Sequence, residues 1–352
     1  MALEMDAAVL YGKEDLRMER LPVPGPADGE LVVRVQAALT CGTDLKVYRR
    51  GYHARMLQPP IPFGHEFAGH VAKVGAGVTS FREGDRVVAL NSAPCGDCFF
   101  CRHRQENLCN HLLFNNGAYA EYIRIPARIV ARNTLLVPQS VLLEHAAMTE
   151  PLACVVHGMD ETGVQPGDQM VVIGAGPIGL MFMHLAQRMG VDVIAVVKHA
   201  AQVQTAKALG ARQVVQTTAT EDVIAAVRAL TTNHHGADVV VEAVATPGAW
   251  QWAVDMVRKG GVVNFFGGCA AGSKVELDTN RLHYSNLALR ASFHHTPSVS
   301  RRAFEWIASG NFNCASFLTG RAPLDEVPQL FQRMMDRGNP DHVLQIKTVV
   351  LP

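Results

Sequence analysis

Neither sign of charge predominates: Lys+Arg and Asp+Glu each number 32 in a chain of 352 residues. A protein held on nucleic acid or an anionic membrane by counterion release normally carries a basic excess, and none is evident over the whole chain. Long apolar runs are also missing. No stretch reaches the ~18 uninterrupted apolar residues of a membrane-spanning helix. The first six residues lack the basic region and apolar run of a secretory signal, so a cytoplasmic location is expected. Internal repeats and low-complexity tracts are absent. What remains is 48% hydrophobic and 18% charged, with 30 Gly and 18 Pro, the composition of a globular α/β chain and not a disordered one. The length exceeds what one core usually organises, at ~100–200 residues per domain, so two domains are expected.

The rhythm changes along the chain. Short apolar stretches at 7–10, 30–37, 67–74 and 85–90 are separated by turn signals such as Pro22-Val23-Pro24-Gly25-Pro26, Pro59-Pro60, Gly75-Ala76-Gly77 and Gly84. This spacing predicts a β-rich, partly barrel-like domain. From about 165, strand patterns at 169–173, 192–197, 237–244 and 261–266 alternate with helical patterns at 177–189, 202–209 and 221–230. Such alternation predicts a parallel sheet built from βαβ units. Beyond about 295 come helical patterns at 298–309 and 324–337 and a β-like run at 343–350. This tail is too short for a domain; it either extends the α/β sheet or returns to the first domain.

Eight cysteines are the informative part of the composition. In a reducing compartment a cysteine cluster points to metal or catalysis and not to a disulfide framework. Cys95, Cys98, Cys101 and Cys109 stand at C-x2-C-x2-C-x7-C spacing. Four soft ligands brought together by tight turns suit a closed tetrahedral zinc site with no position left for substrate. An iron–sulfur cluster also uses four thiolates. A nucleic-acid zinc knuckle is disfavoured, because the basic neighbours Arg102, His103 and Arg104 have no regularly interleaved aromatics.

A second constellation has the composition of a catalytic site. Cys41-Gly42-Thr43-Asp44 ends an apolar run, Gly64-His65-Glu66 opens another 24 residues later, and Thr149-Glu150-Pro151 follows. Sulfur, nitrogen and carboxylate oxygens form a mixed donor set suited to catalytic zinc with an exchangeable fourth position. Such a metal polarises a carbonyl or lowers the pKa of an alcohol.

Gly174-Ala175-Gly176-Pro177-Ile178-Gly179 matches G-x-G-x-x-G between a predicted strand and a predicted helix, the context that dinucleotide binding needs. Gly174 allows the tight turn, Gly176 the approach of backbone to pyrophosphate, and Gly179 the close helix–strand packing, with the phosphates on the helix N-terminus. The second strand should end in an acidic residue if the ribose 2′-hydroxyl of NAD is gripped there. It ends Val197-Lys198-His199 instead. Without a carboxylate to repel a 2′-phosphate, and with two basic side chains at hand, the site leans towards NADP over NAD, unless Lys198 is a solvated loop charge.

Taken together, these motifs resemble the zinc-dependent medium-chain alcohol dehydrogenase superfamily, in particular its polyol (sorbitol-like) and threonine dehydrogenase branches. The resemblance spans essentially the whole chain and includes Gly260-Gly261-Val262-Val263-Asn264-Phe265-Phe266-Gly267. It implies an α/β fold with a Rossmann doubly wound parallel sheet domain and a GroES-like β-rich catalytic domain. The implied division is a catalytic domain over 1–155 with a zinc lobe at about 91–112, a Rossmann domain over 156–296, and a segment over 297–352 completing the catalytic domain. Cys41, His65 and Glu66 match catalytic zinc ligands, Glu150 an alternative ligand, and Thr43 a hydroxyl that passes on the alcohol proton. Cys95, Cys98, Cys101 and Cys109 match a structural zinc. Cys154, Cys269 and Cys314 match no ligand position and are expected to be buried thiols.

The implied activity is hydride transfer between a secondary alcohol or polyol and NAD(P). A sugar-phosphate or amino-alcohol (threonine-like) substrate is the alternative, and a non-catalytic cofactor-sensing or nucleic-acid-binding zinc protein is the reading from another class. A zinc-independent quinone or enoyl reductase is disfavoured by the intact ligands. A homodimer or homotetramer is implied, with a small-molecule substrate and neither nucleic acid nor membrane as partner. One departure is Lys46, which stands where many polyol and threonine dehydrogenases have His and so bears on the last step of proton release or on the contact with the nicotinamide ribose. Lys46, Arg49, Arg50, His53 and Arg55 are expected to form a basic loop, either solvated or selecting an anionic substrate. Residues 47–57, 112–119 and part of 266–282 are expected to line the substrate pocket.

Overall fold

A computed structural model describes residues 3–336 and 345–352; Arg337, Val343 and Leu344, which fall in the expected last helix and strand, lie outside the described residues. The chain forms two compact units, Met1–Ala153 with His295–Pro352, and Cys154–His294.

The first unit is built on antiparallel pairing, except that Leu318–Pro323 and Lys347–Leu351 run parallel. Its larger sheet runs in the order Thr134–Leu136, Arg86–Ala89, Glu66–Val74, Leu31–Leu39, Lys347–Leu351, Leu318–Pro323, and Tyr122–Ile125 also pairs with Leu31–Leu39. Alternating apolar positions of Leu31–Leu39 and Glu66–Val74 send Val33, Val35, Phe67 and Val71 into one core with Phe63 and Phe331. Full burial of each large apolar side chain contributes about 1.5–3 kcal/mol. Leu39 pairs with Glu66 on one side and Val349 on the other. This register brings the residues after Leu39, those before Phe67 and the terminal strand to one place. The tail therefore returns to the first unit's sheet.

Two-residue strands Ser92–Ala93 and Leu113–Phe114 pair antiparallel and bracket the four-cysteine segment. Glu4–Gly12, which contains the expected 7–10 stretch, forms a hairpin with Asp15–Pro22, a strand not anticipated and rich in charge. No helix was expected over 41–55, yet Gly42–Arg50 is one. Cys41 caps it, and Arg49 and Arg50 fill its last turn, where cations complement the helix dipole. The expected basic loop over 46–55 is therefore corrected: its first half is helical, and two of its charges have a local structural role.

The second unit is a six-stranded sheet in the order Ala211–Gln216, Asp192–Val197, Gln169–Ile173, Ala237–Glu242, Val257–Phe265, Ala288–Ala291, with every neighbouring pair parallel. This is the doubly wound arrangement. The inner strands are near-continuous apolar runs because helices such as Pro177–Arg188 and Pro247–Met256 cover the faces. The two outermost strands went unanticipated, since edge positions are less buried and carry Arg212, Gln213 and Arg290.

Candidate active site

Cys41, His65 and Glu66 converge, with their ligand atoms all within 4.8 Å of one another. Cys41 sits at the N-cap of the Gly42–Arg50 helix, its Sγ accepting from the Thr43 amide at 3.4 Å. Gly64 delivers His65 with a left-handed φ of 86°, and a Cβ there would lie 2.7 Å from the Tyr119 ring. Only glycine suits that turn. Asp44 Oδ1 lies 2.7 Å from His65 Nδ1. A carboxylate only accepts, so Nδ1 carries the proton and Nε2 is left with its lone pair for a metal.

Glu66 is completely buried. Its Oε2 takes a 2.5 Å hydrogen bond from Lys347 Nζ, while its Oε1 has no hydrogen-bond partner. Lys347 also donates to Thr40 O at 2.8 Å, and Thr348 N donates to Thr40 Oγ1 at 2.9 Å, so the terminal strand is fastened to the residue preceding Cys41. Burial pushes the Cys41 thiol up, with the Glu66 charge adding to it. Burial also raises the Glu66 carboxyl despite Lys347. It opposes the His65 imidazolium, but Asp44 and Cys41 hold that group well above its usual value. Burial lifts Glu150 to about 7. Glu150, in the first turn of the Thr149–Thr162 helix, stands outside the converging trio but within electrostatic reach of His65 and Glu66. Its Oε1 is 3.8 Å from His295 Nε2, and that imidazole nitrogen lies 3.1 Å from Asn91 Oδ1. A dication among these anionic donors offsets the cost of burying them. One thiolate, one imidazole and one carboxylate with an orphaned oxygen fit zinc with an open fourth position.

The four lobe cysteines pass a sharper geometric test. Their Sγ–Sγ separations are 3.4 Å for Cys95–Cys109, 3.5 Å for Cys98–Cys101, 3.8 Å for Cys98–Cys109 and 3.9 Å for Cys95–Cys101. A tetrahedron with Zn–S near ~2.3 Å has edges of ~3.8 Å. The spacings are far beyond any disulfide, and none of the four lobe thiols is disulfide-bonded. Amides of Cys95, Gly96 and His111 donate to the sulfurs of Cys109, Cys101 and Cys109 at 3.3, 3.4 and 3.3 Å. Backbone hydrogen bonds lower the Cys98 thiol to about 6, and burial raises Cys101 to about 12. Of the remaining thiols, Cys314 is buried, whereas Cys154 and Cys269 are only half-buried, contrary to expectation.

In the second unit, Gly174 follows the Gln169–Ile173 strand with φ of 105°, and Gly176 is the N-cap of Pro177–Arg188 without any side-chain cap. The first amides of that helix are thus left to a ligand. A Cβ on Gly176 would enter open space, while one on Gly179 would lie on the Gly174 carbonyl oxygen. Pro177 and Ile178 form the first turn between them. Val197 is buried at the strand end; Lys198 and His199 are exposed beyond it. Their amides donate to Gln202 Oε1 at 3.2 and 3.1 Å, and their side chains make no ion pair among the described residues.

Thr43 is half-buried and Lys46, one turn on, is exposed. Lys347 and His295 were missed by sequence reasoning, and Tyr119, expected only as the end of the pocket-lining 112–119 stretch, is fully buried with its hydroxyl on Asp44. A lysine opening the apolar run Lys347-Thr348-Val349-Val350 was the one available signal, since a cation leading into a buried strand needs a partner.

Residues 27–138 match the family model described as an alcohol dehydrogenase GroES-like domain, and residues 177–309 match that of a zinc-binding dehydrogenase. A sorbitol dehydrogenase of Bacillus subtilis (strain 168) is 29% identical over 95% of this chain and 95% of its own length. An L-threonine 3-dehydrogenase of Bacillus licheniformis is 31% identical over 92% and 93%. The crystal structure of a zinc-binding dehydrogenase from Sinorhizobium meliloti 1021 bound to NADP superposes with a TM-score of 0.90 at 29% identity, covering 99% of this chain and 100% of that one. Among the described residues no helix is long and apolar enough to cross a membrane.

Proposed function

The chain belongs to the zinc-dependent medium-chain alcohol dehydrogenase family, and from that premise we propose that it oxidises a polyol-type secondary alcohol with NADP. In this reading one zinc is held by Cys41, His65 and Glu66, with Glu150 as alternative ligand, and a second by Cys95, Cys98, Cys101 and Cys109. The observation that carries it is the convergence of a thiol, an imidazole and a carboxylate within 4.8 Å, with the imidazole tautomer set by Asp44.

Zinc, when bound, polarises a hydroxyl and lowers its pKa, and the nicotinamide ring accepts the hydride at C4. The protein's own residues supply the proton path and the binding. Thr43 takes the hydroxyl proton as it releases its own to water, and the exposed Lys46 ammonium, three residues on and on the same helix face, donates to water on that exit path. Loss of that proton from oxygen and of hydride from carbon leaves the ketone. Gly174, Gly176 and the first turn from Pro177 to Gly179 cradle the pyrophosphate. Lys198 and His199, beyond Val197, supply positive charge for a 2′-phosphate where no carboxylate opposes it. The NADP-bound neighbour supports the same choice.

A reducing, cytoplasmic setting suits thiols that must stay reduced to hold metal. A dimer or tetramer, read by mass photometry, suits the family and the open edge strand Ala288–Ala291. The test of function is a panel of polyols, amino alcohols, sugar phosphates and simple secondary alcohols given to zinc-loaded protein with NAD or NADP. Turnover of a polyol with NADP favoured at least tenfold is expected. No turnover with any alcohol rejects the function, and a strong preference for NAD rejects the cofactor assignment.

A further inference from the structure

We infer that Tyr119 is a positioning residue for the metal centre, its hydroxyl fixing the Asp44 carboxylate that orients His65; this rests on reading Cys41, His65 and Glu66 as a zinc site. The Tyr119 hydroxyl lies 2.8 Å from Asp44 Oδ2 and 3.0 Å from Leu39 O. It has one proton and two acceptors, and the charged, nearer one forms the stronger bond. Asp44 Oδ1 is already engaged by His65 Nδ1 at 2.7 Å. Each oxygen of this buried carboxylate therefore has its own donor, which fixes both its position and the plane of its group.

The ring cannot wander. Its centroid lies 6.0 Å from that of Phe63 and 5.8 Å from that of Phe331, and it packs against Gly64, where even a methyl group would collide with it. Phenylalanine would fill the same space and make the same ring contacts. The hydroxyl therefore adds something beyond packing, because a buried phenol without a partner is costly and this one is aimed at the carboxylate behind a ligand. Partners behind a metal-bound histidine orient the ring and typically change metal affinity 10–100-fold when lost. Tyr119 stands one link further out than Asp44, which places its effect near the lower end, about tenfold.

The experiment follows zinc release from holoenzyme to a colorimetric chelator, which separates the mixed-ligand zinc from the four-thiolate zinc, for wild type, Tyr119→Phe, Asp44→Asn and the double variant. Tyr119→Phe should weaken one zinc about tenfold and leave the other unchanged, with an unchanged far-UV spectrum. Because Tyr119 acts through Asp44, the double variant should be no weaker than Asp44→Asn alone. Wild-type zinc affinity in Tyr119→Phe overturns the inference, as do fully additive losses or equal weakening of both zincs. Wild-type protein that binds two zincs but oxidises no alcohol would defeat the substrate reading and leave this inference standing. Wild-type protein with a single zinc would remove the metal-site reading and the inference together.

Discussion

Replacing Lys347 with methionine tests how the terminal strand is tied to the site. The Lys347 and Glu66 side chains are 1% and 0% exposed and meet at 2.5 Å, and Glu66 Oε1 has no hydrogen-bond partner. Lys347→Met keeps the stem's packing but strands a fully buried carboxylate. Removing one partner of a buried pair costs about 3–5 kcal/mol. In a unit of roughly two hundred residues, where each kcal/mol shifts Tm by ~2–4 °C, the melting temperature of metal-free protein should fall on the order of 10 °C. Replacing both partners with uncharged groups, Lys347→Met with Glu66→Gln, should recover most of that loss, because no charge is then left stranded. Excess zinc should also recover part of it in the single variant, since the metal offers Glu66 another cation. Denaturant melts with and without zinc read all three. A single variant within 0.5 kcal/mol of wild type, or a double variant less stable than the single, would refute the reasoning.

Lys198→Glu should raise the KM for NADP on the order of tenfold while leaving that for NAD nearly unchanged, as expected for an exposed charge beside a 2′-phosphate; steady-state kinetics with both cofactors decide it. Gly179→Ala places a methyl on the Gly174 carbonyl oxygen; calorimetry should show dinucleotide affinity lower by about 1–3 kcal/mol with zinc content unchanged. Glu150, raised from 4.5 to about 7, binds its proton more tightly in folded protein. Its effect on stability is therefore most favourable below pH 4.5 and is lost as pH rises to about 7, so metal-free Glu150→Gln should gain up to ~3 kcal/mol on wild type at pH 8 and little at pH 4.5. Denaturant melts across that range measure it.

The parts legible in the sequence are those whose chemistry depends on neighbours along the chain. The four-cysteine spacing and Gly174 to Gly179 are local devices, and each stands as a compact cluster or turn. Cys41, His65 and Glu66 are separated in sequence, but each opens or closes an apolar run, which is where strand register delivers functional groups. The rest depends on contacts that sequence separation hides. Lys347 reaches Glu66 across 281 residues and Tyr119 reaches Asp44 across 75. No periodicity marks such partners. The edge strands Ala211–Gln216 and Ala288–Ala291 were missed because half-exposed edges lack the apolar runs of central strands. The Gly42–Arg50 helix was hidden because its capping residue, Cys41, is also a candidate ligand, and its last-turn arginines looked like loop charge.

Hydride transfer to a dinucleotide at a centre built on Cys41 is read without intermediaries by following a label. A polyol deuterated at its carbinol carbon is incubated with zinc-loaded protein and NADP, and deuterium at C4 of the reduced nicotinamide is read by NMR for wild type and Cys41→Ser. Label is expected in the wild-type product, with transfer at least about a thousandfold slower in Cys41→Ser and the four-thiolate zinc retained. Transfer at an undiminished rate in Cys41→Ser, or none in wild type with any alcohol of the panel, would contradict it.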